Sequence, residues 1–155
     1  MEIITNNFEE TMNFAENFAK TITPPKVIVL SGDLGAGKTT FSKGFGKGLE
    51  INQIITSPTF ALLNEYEGKT NLYHFDMYRL SSKDEAIELG FDEYFKKNDG
   101  IILVEWAENV KGLFNAPYAQ ITIEKLSENK RKIKVEEILW TFYVWTQLSI
   151  KHTLP

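Results

Sequence analysis

A lysine and two threonines follow a glycine-rich stretch near the start of the chain. Residues 32–39 read GDLGAGKT, which fits the pattern G-x-x-x-x-G-K-[ST] of a phosphate-binding loop. Glycines let backbone N–H groups converge on phosphate oxygens, and a helix that starts near Lys38 directs the positive end of its dipole at the same anion. Lys38 can reach the β- and γ-phosphates, and the Thr39 hydroxyl is a hard ligand suited to Mg²⁺. The stretch predicts a nucleoside triphosphate site whose backbone is supplied by Asp33, Leu34, Gly35, Ala36 and Gly37.

Two acidic residues are candidates for the metal-binding partner of this loop. Glu105 follows four apolar residues in IILVE, the pattern of a buried strand that carries a carboxylate to the carboxyl edge of a parallel sheet. Asp76 lies in YHFDMYR, where strand alternation places it on one face with His74. We expect that face to be half-solvated. Asp76 is a candidate to hold a metal-bound water, to orient the attacking water, or to replace Glu105 as the metal ligand.

Two further features lie near these acids in the sequence, one before Asp76 and one directly after Glu105. Residues 56–60 read TSPTF, a polar loop that is either a nucleotide-sensitive switch segment or an ordinary proline turn. Trp106 follows Glu105 directly, where its ring is suited to stacking on a base or a partner, although large aromatic side chains most often serve packing.

Hydrophobic periodicity and turn residues predict the elements that position these groups. Asn7 followed by Glu10 is typical of a helix N-cap with a reciprocal partner. Strands alternate with helices along the chain, which predicts a three-layer α/β domain. The predicted elements are a helix at 8–22, a strand at 27–31, a helix at 39–49, two strands joined near 67–69, helical turns at 82–100, a strand ending at Glu105 and a hairpin around 127–129.

Composition limits the class of protein. The 155 residues are 43% hydrophobic and 25% charged, which is typical of one soluble domain. A net charge of -4 argues against strong nucleic-acid binding by this chain itself, and the absence of cysteine excludes disulfides and thiolate chemistry. The first ten residues lack secretory features, and the apolar run 138–150 is shorter than the ~20 residues of a membrane span. We expect a cytoplasmic protein.

Four stretches occur in a fixed order: GDLGAGKTTF at 32–41, SPTF at 57–60, HFDMYRL at 74–80 and VEW at 104–106. Together they resemble the TsaE (YjeE) family, bacterial P-loop ATPases of tRNA threonylcarbamoyladenosine synthesis. The phosphate-binding loop is widespread, whereas its combination with the other three stretches is highly specific. The resemblance covers roughly residues 8–135.

This resemblance implies a P-loop NTPase-like domain with a mixed, mainly parallel sheet over residues 1–137, and ATP and Mg²⁺ as cofactors. It also implies TsaB and TsaD as partners, which transfer a threonylcarbamoyl group to adenosine 37 of ANN-decoding tRNAs. The ATPase then supports turnover of that complex, and it reaches tRNA through the complex. Hydrolysis is expected to be slow without the partners.

The family pattern also implies roles for single residues. Lys38, Thr39 and Thr40 correspond to phosphate contacts, with Thr39 and Glu105 as Mg²⁺ ligands. Asp76 corresponds to a residue essential for hydrolysis, so that Lys38, Asp76 and Glu105 form the expected catalytic set.

The resemblance also implies which residues surround the nucleotide. Trp106 is implied to lie near the nucleotide, and the segment Asn7–Thr11 to border the adenine. Ala107 departs from the pattern, in which proline often follows the tryptophan, and this affects the expected shape of the following loop.

Other classes of protein also contain this phosphate-binding loop. A small-molecule kinase generally needs several arginines in a closing lid, whereas this chain has only Arg79 and Arg131. A GTPase would need an N-K-x-D motif, which the sequence lacks. A third alternative is a subunit that senses ATP without hydrolysing it.

The apolar segment 138–155 matches no feature of the family. It is interpreted as an element that covers the core, as a partner-facing surface, or as a reading-frame artefact.

Overall fold

The computed structural model describes residues 1–24, 26–115 and 117–138. A short 3₁₀ turn spans Ala107–Val110. The strands and helices, in chain order, are β1 (Glu2–Thr5), α1 (Phe8–Thr21), β2 (Lys26–Ser31), α2 (Lys38–Gly48), β3 (Leu63–Tyr66), β4 (Asn71–Asp76), α3 (Lys83–Glu88), α4 (Asp92–Lys97), β5 (Gly100–Glu105), β6 (Tyr118–Lys125) and β7 (Arg131–Ile138).

All seven strands form one mixed sheet in the order β1-β7-β6-β2-β5-β4-β3. The four central strands, β6, β2, β5 and β4, are mutually parallel, and the outer pairings β1–β7, β7–β6 and β4–β3 are antiparallel. The predicted α/β class with a mixed sheet is confirmed. Because β4 and β5 are parallel and in register, Asp76 pairs with Glu105 at their carboxyl ends.

The sheet is covered on both faces, which gives the three predicted layers. Helices α1 and α2 bury one face around Phe41 and Phe45, together with strand residues such as Ile28 and Leu103. Helices α3, α4 and the 3₁₀ turn contribute to the other face around Phe75. Burial of these large apolar side chains is the main favourable term that holds the layers together.

Glycines in α2 allow it to approach α1 closely. A Cβ placed on Gly44 or Gly48 would collide with the backbone carbonyl oxygen of Met12 or Glu16, respectively. These glycines lower the intrinsic helix propensity, yet α2 continues to Gly48 because packing against α1 compensates for that loss.

The N-terminal cap of α1 differs slightly from its prediction. The Asn7 side chain accepts a hydrogen bond from the Glu10 backbone N–H, as expected, but the Glu10 carboxylate accepts from the backbone N–H of Asn6. The first strand, β1, was not predicted. It is formed by pairing with the distant β7, to which no local pattern points.

The segment 82–100 forms two short helices that are separated at Gly90, with Ser82 as the predicted cap of the first. The second helix ends before Gly100, as predicted, and Gly100 begins β5. The predicted apolar tail 138–155 lies outside the described residues apart from Ile138, which ends β7. Within the described ranges, no helix is long and apolar enough to cross a membrane.

Candidate phosphate-binding site

The glycine-rich loop connects β2 to α2 and leaves the start of that helix open. Gly35 and Gly37 have φ angles of 76° and 110°, which side chains with a Cβ rarely adopt. Gly37 is the N-cap residue of α2, so no side chain caps the first turn of this helix. By contrast, Asn7 caps α1 and Ser82 caps α3. The uncapped N–H groups and the positive dipole end of α2 form an anion-binding position.

Lys38 lies over this loop and is almost completely buried. Its Nζ donates hydrogen bonds to the carbonyl oxygens of Gly32 at 2.5 Å and Asp33 at 3.0 Å. The same atom lies 5.1 Å from the ring centroid of Trp106, within the range of a cation–π contact. Trp106 has a left-handed backbone with φ of 58°, which turns the chain directly after β5.

An open cavity of about 390 Å³ lies in front of the loop. It brings together nearly all of the predicted site residues with several others. Of the predicted set, only Asp33 and Ala36 do not line it; their carbonyl oxygens accept hydrogen bonds from Lys38 and Arg131, which do line it. The lining residues are Leu34, Gly35, Gly37, Lys38, Thr39, Thr40, Ser57, Thr59, Asp76, Tyr78, Glu105, Trp106 and Arg131.

The two acidic candidates have different surroundings. Asp76 accepts hydrogen bonds through both oxygens: Oδ2 from the Thr59 hydroxyl at 2.8 Å and Oδ1 from the Tyr78 backbone N–H at 2.9 Å. Glu105 bonds through Oε1 to His74 Nε2 at 2.8 Å. Both residues are 3% exposed. Asp76 is therefore connected to the polar loop, whereas Glu105 is connected to the interior of the sheet.

His74 was expected on a half-solvated face, and this prediction was wrong. Its side chain is 0% exposed. Leu72 shares its face of β4 and belongs to the core beneath α1 and α2, so the whole face is covered. Alternation identified which residues share a face but gave no information on what covers that face.

The loop 56–60 approaches the cavity through its hydroxyl groups. Ser57 and Thr59 line the cavity and bond to each other at 2.8 Å. Phe60 points away and is 87% exposed, with the Arg79 guanidinium 5.7 Å from its ring centroid. Arg79 therefore lies against the loop and does not line the cavity.

Arg131 and Tyr78 also line the cavity, and the sequence did not identify either as a site residue. Arg131 makes several contacts there. Its Nε donates to the Ala36 carbonyl at 2.6 Å, and its Nη1 lies within hydrogen-bond distance of three carbonyls of the β6–β7 turn. This side chain ties the hairpin to the phosphate-binding loop over 95 residues of sequence. In the sequence, the only indication of this contact was that Arg131 closely follows the predicted turn 127–129.

A second, smaller cavity of about 250 Å³ continues from the first past Gly37, Thr40 and Arg131. Its other lining residues are Phe8 and Thr11 from α1 and Glu128 and Asn129 from the hairpin turn. The structure thus places part of the segment Asn7–Thr11 next to the phosphate-binding loop. The two cavities share three lining residues, so they adjoin at the start of α2.

Metal binding here would involve few protein ligands. Among the described residues, no group of three or more His, Asp or Glu side chains is arranged to hold a metal ion. Thr39 and Glu105 line the same cavity and offer a hydroxyl and a carboxylate oxygen. This donor set fits Mg²⁺, which usually keeps several waters and uses one or two protein ligands together with substrate phosphates.

Comparison with known proteins identifies the family. The family model of "Threonylcarbamoyl adenosine biosynthesis protein TsaE" matches residues 5–133. The chain is 45% identical over 130 residues to the tRNA threonylcarbamoyladenosine biosynthesis protein TsaE of Bacillus subtilis, covering 83% of this chain and 80% of the relative. It is 43% identical over 141 residues to the protein of that name from Rickettsia typhi, with 88% and 96% covered.

A solved structure extends the likeness to three dimensions. The crystal structure of Bacillus subtilis YdiB superimposes with a TM-score of 0.77 at 35% identity, covering 99% of this chain and 96% of that one. The resemblance drawn from the four sequence stretches is thereby confirmed, and the chain belongs to the TsaE family of tRNA threonylcarbamoyladenosine biosynthesis proteins.

Proposed function

We propose that this protein is a Mg²⁺-dependent ATPase that acts on a TsaB–TsaD complex during threonylcarbamoyl modification of adenosine 37 in ANN-decoding tRNAs, in the cytoplasm. The observation that carries the proposal is the uncapped start of α2 opposite two buried carboxylates in one cavity. An anion-binding helix end and acidic groups for a hard cation are both needed to bind a metal–triphosphate.

Lys38 binds the transferred phosphate in this proposal. Its Nζ exchanges the carbonyl oxygens of Gly32 and Asp33 for the β- and γ-phosphate oxygens. The exchange replaces neutral acceptors by charged ones, so the new hydrogen bonds are stronger. The backbone N–H groups of the loop and the Thr40 hydroxyl provide the remaining phosphate contacts.

Thr39 and Glu105 hold Mg²⁺, which when bound neutralises charge that develops on the phosphate oxygens. Glu105 suits this role because its Oε1 is held by His74 while the residue faces the cavity. Asp76 suits a different role because both of its oxygens already accept hydrogen bonds. We assign it to orienting the attacking water or a metal-bound water.

The contact between Thr59 and Asp76 couples the loop 56–60 to hydrolysis. A change at Asp76 when the γ-phosphate leaves alters the hydrogen bond to Thr59, and with it the position of the exposed Phe60. A partner that contacts this loop then has different affinities for the ATP and ADP forms. Only such differential affinity lets hydrolysis shift the partner's state.

Two alternatives are less well supported. A small-molecule kinase needs several arginines that clamp the transferred phosphoryl group. Arg79 lies outside the cavity against Phe60, and Arg131, which lines the cavity, is bonded to backbone carbonyls of the loop and the hairpin. A subunit that senses ATP without hydrolysis would not need Asp76 beside the phosphate-binding loop.

The test combines turnover with partner binding. ATP hydrolysis is measured with and without TsaB–TsaD, and binding to that complex is measured by calorimetry with an ATP analogue, with ADP and without nucleotide. We expect stimulated turnover and nucleotide-dependent affinity. Lys38→Ala should lower turnover by roughly 10²–10³-fold, the typical effect of losing one electrostatic contact to the transition state.

Three results would reject parts of the proposal. Identical partner affinity in all nucleotide states rejects the switch, and normal turnover of a folded Lys38→Ala protein rejects the phosphate site. If Asp76→Ala changes the Mg²⁺ requirement and Glu105→Ala does not, the roles of the two acids are exchanged.

A further inference from the structure

His74 is a buried polar side chain that the proposed reaction does not use directly. It lies in β4 and is 0% exposed, with its Nε2 2.8 Å from Glu105 Oε1. Its other ring nitrogen, Nδ1, is also buried and has no hydrogen-bond partner among the described residues. The ring therefore makes one side-chain hydrogen bond, and that bond is to Glu105.

The hydrogen bond to Glu105 indicates which tautomer of the neutral ring fits this position. A carboxylate oxygen accepts, so the tautomer that pairs with Oε1 carries its proton on Nε2 and donates it. Nδ1 is then an acceptor without a partner among the described residues.

Packing does not account for a histidine at this position. Its neighbour in register on β5 is Leu103, and Leu72 shares its face of β4, so the surroundings include apolar core residues. An apolar side chain of similar size would fill this space without an unpaired ring nitrogen. What such a residue would lose is the hydrogen bond to Glu105.

We propose that His74 is a positioning residue that orients the Glu105 carboxylate for Mg²⁺, an inference that rests on the proposed function. The donor at Oε1 restricts the rotation of the carboxylate and leaves Oε2 without this bond, in a residue that lines the cavity. Hydrogen-bond partners of metal ligands typically contribute about 10–100-fold to metal affinity or activity.

Two amide variants provide a matched test. The side-chain nitrogen of His74→Gln extends about as far as Nε2 and retains the donor to Glu105. The nitrogen of His74→Asn stops near the position of Nδ1 and does not reach Glu105. Both variants bury one amide, so general destabilisation affects them alike. His74→Leu removes every polar atom.

The measurement is ADP binding by calorimetry, first in EDTA and then across a Mg²⁺ titration. We expect unchanged ADP affinity in EDTA for all variants. The Mg²⁺ affinity of the protein–ADP complex should fall by about 10–100-fold in His74→Asn and His74→Leu and by less than about threefold in His74→Gln. In a Glu105→Gln background, His74→Asn should cause no further loss of Mg²⁺ affinity, because the effects of substitutions at two interacting residues are not additive.

The outcomes separate this inference from the proposed function. If the wild-type protein binds no ADP with or without Mg²⁺, both are rejected. If it binds ADP with Mg²⁺ enhancement and His74→Asn matches it, only the role of His74 is rejected. Equal losses of Mg²⁺ affinity in His74→Gln and His74→Asn also reject the positioning role of His74. Should the variants not fold, nitrogen-15 spectra of wild-type His74 decide: an Nδ1–H tautomer overturns the assignment.

Discussion

Substitution of Gly44 by alanine tests how α2 is positioned behind the phosphate-binding loop. Gly44 faces the backbone of α1, and a Cβ there would lie closer to the Met12 carbonyl oxygen than the 3.0 Å below which real Cβ contacts essentially never occur. Backbone atoms cannot rotate away as a side chain can. The two helices must separate by roughly 1 Å to restore ordinary van der Waals distances.

The magnitude follows from two opposing effects. Inserting a methyl group into a packed interface costs about 1–3 kcal/mol, and a backbone collision favours the upper end of that range. Alanine in place of glycine improves helix propensity by about 1 kcal/mol. The net free energy of unfolding should fall by about 2 kcal/mol, which lowers Tm by about 4–8 °C for a domain of this size.

Urea denaturation of wild type, Gly44→Ala and Gly46→Ala measures this change. Gly46 is the matched control because it lies in the same helix but faces the side chain of Ile55, whose Cγ1 would lie 2.6 Å from the added Cβ. A buried side chain can shift more readily than a backbone carbonyl, so Gly46→Ala should destabilise the protein less than Gly44→Ala does. A Gly44→Ala protein as stable as the control would refute the close backbone contact between α1 and α2.

Three further outcomes are expected. Arg131→Lys keeps the charge but loses the forked hydrogen bonds to the loop and hairpin backbone, so ADP affinity should fall roughly tenfold in calorimetry. Thr59→Val removes the hydroxyl that donates to Asp76 and should lower partner-stimulated ATP turnover more than ADP affinity, while Thr59→Ser restores turnover. The hydrogen bond from Lys20 lowers the pKa of Glu16 below its ordinary 4.5. Its stabilising effect is therefore present above that pH and is lost as the pH falls through the lower folded-state pKa. Glu16→Gln should show a shallower loss of stability in urea melts below about pH 4.5.

Local sequence indicated the phosphate-binding loop and most of the elements, with β1 as an exception. The Asn7 cap depends on a contact three residues away, and the loop 32–39 depends on spacing within eight residues. Strand and helix patterns likewise repeat over a few residues, so they can be identified without knowledge of the fold. For the same reason the sequence correctly indicated that Lys38 begins a helix and that Glu105 ends a buried strand.

The tertiary structure decided which distant residues meet. His74 and Glu105 bond across 31 residues, and Arg131 reaches Ala36 across 95. Both contacts depend on strand order, because β4 neighbours β5 and the β6–β7 hairpin lies beside β2. Strand order is set by the total burial of both sheet faces, which no short pattern encodes. The sequence by itself therefore indicated which groups are candidates to bind a nucleotide, and the packing of the sheet decided that Asp76 contacts the polar loop while Glu105 is held by a buried histidine.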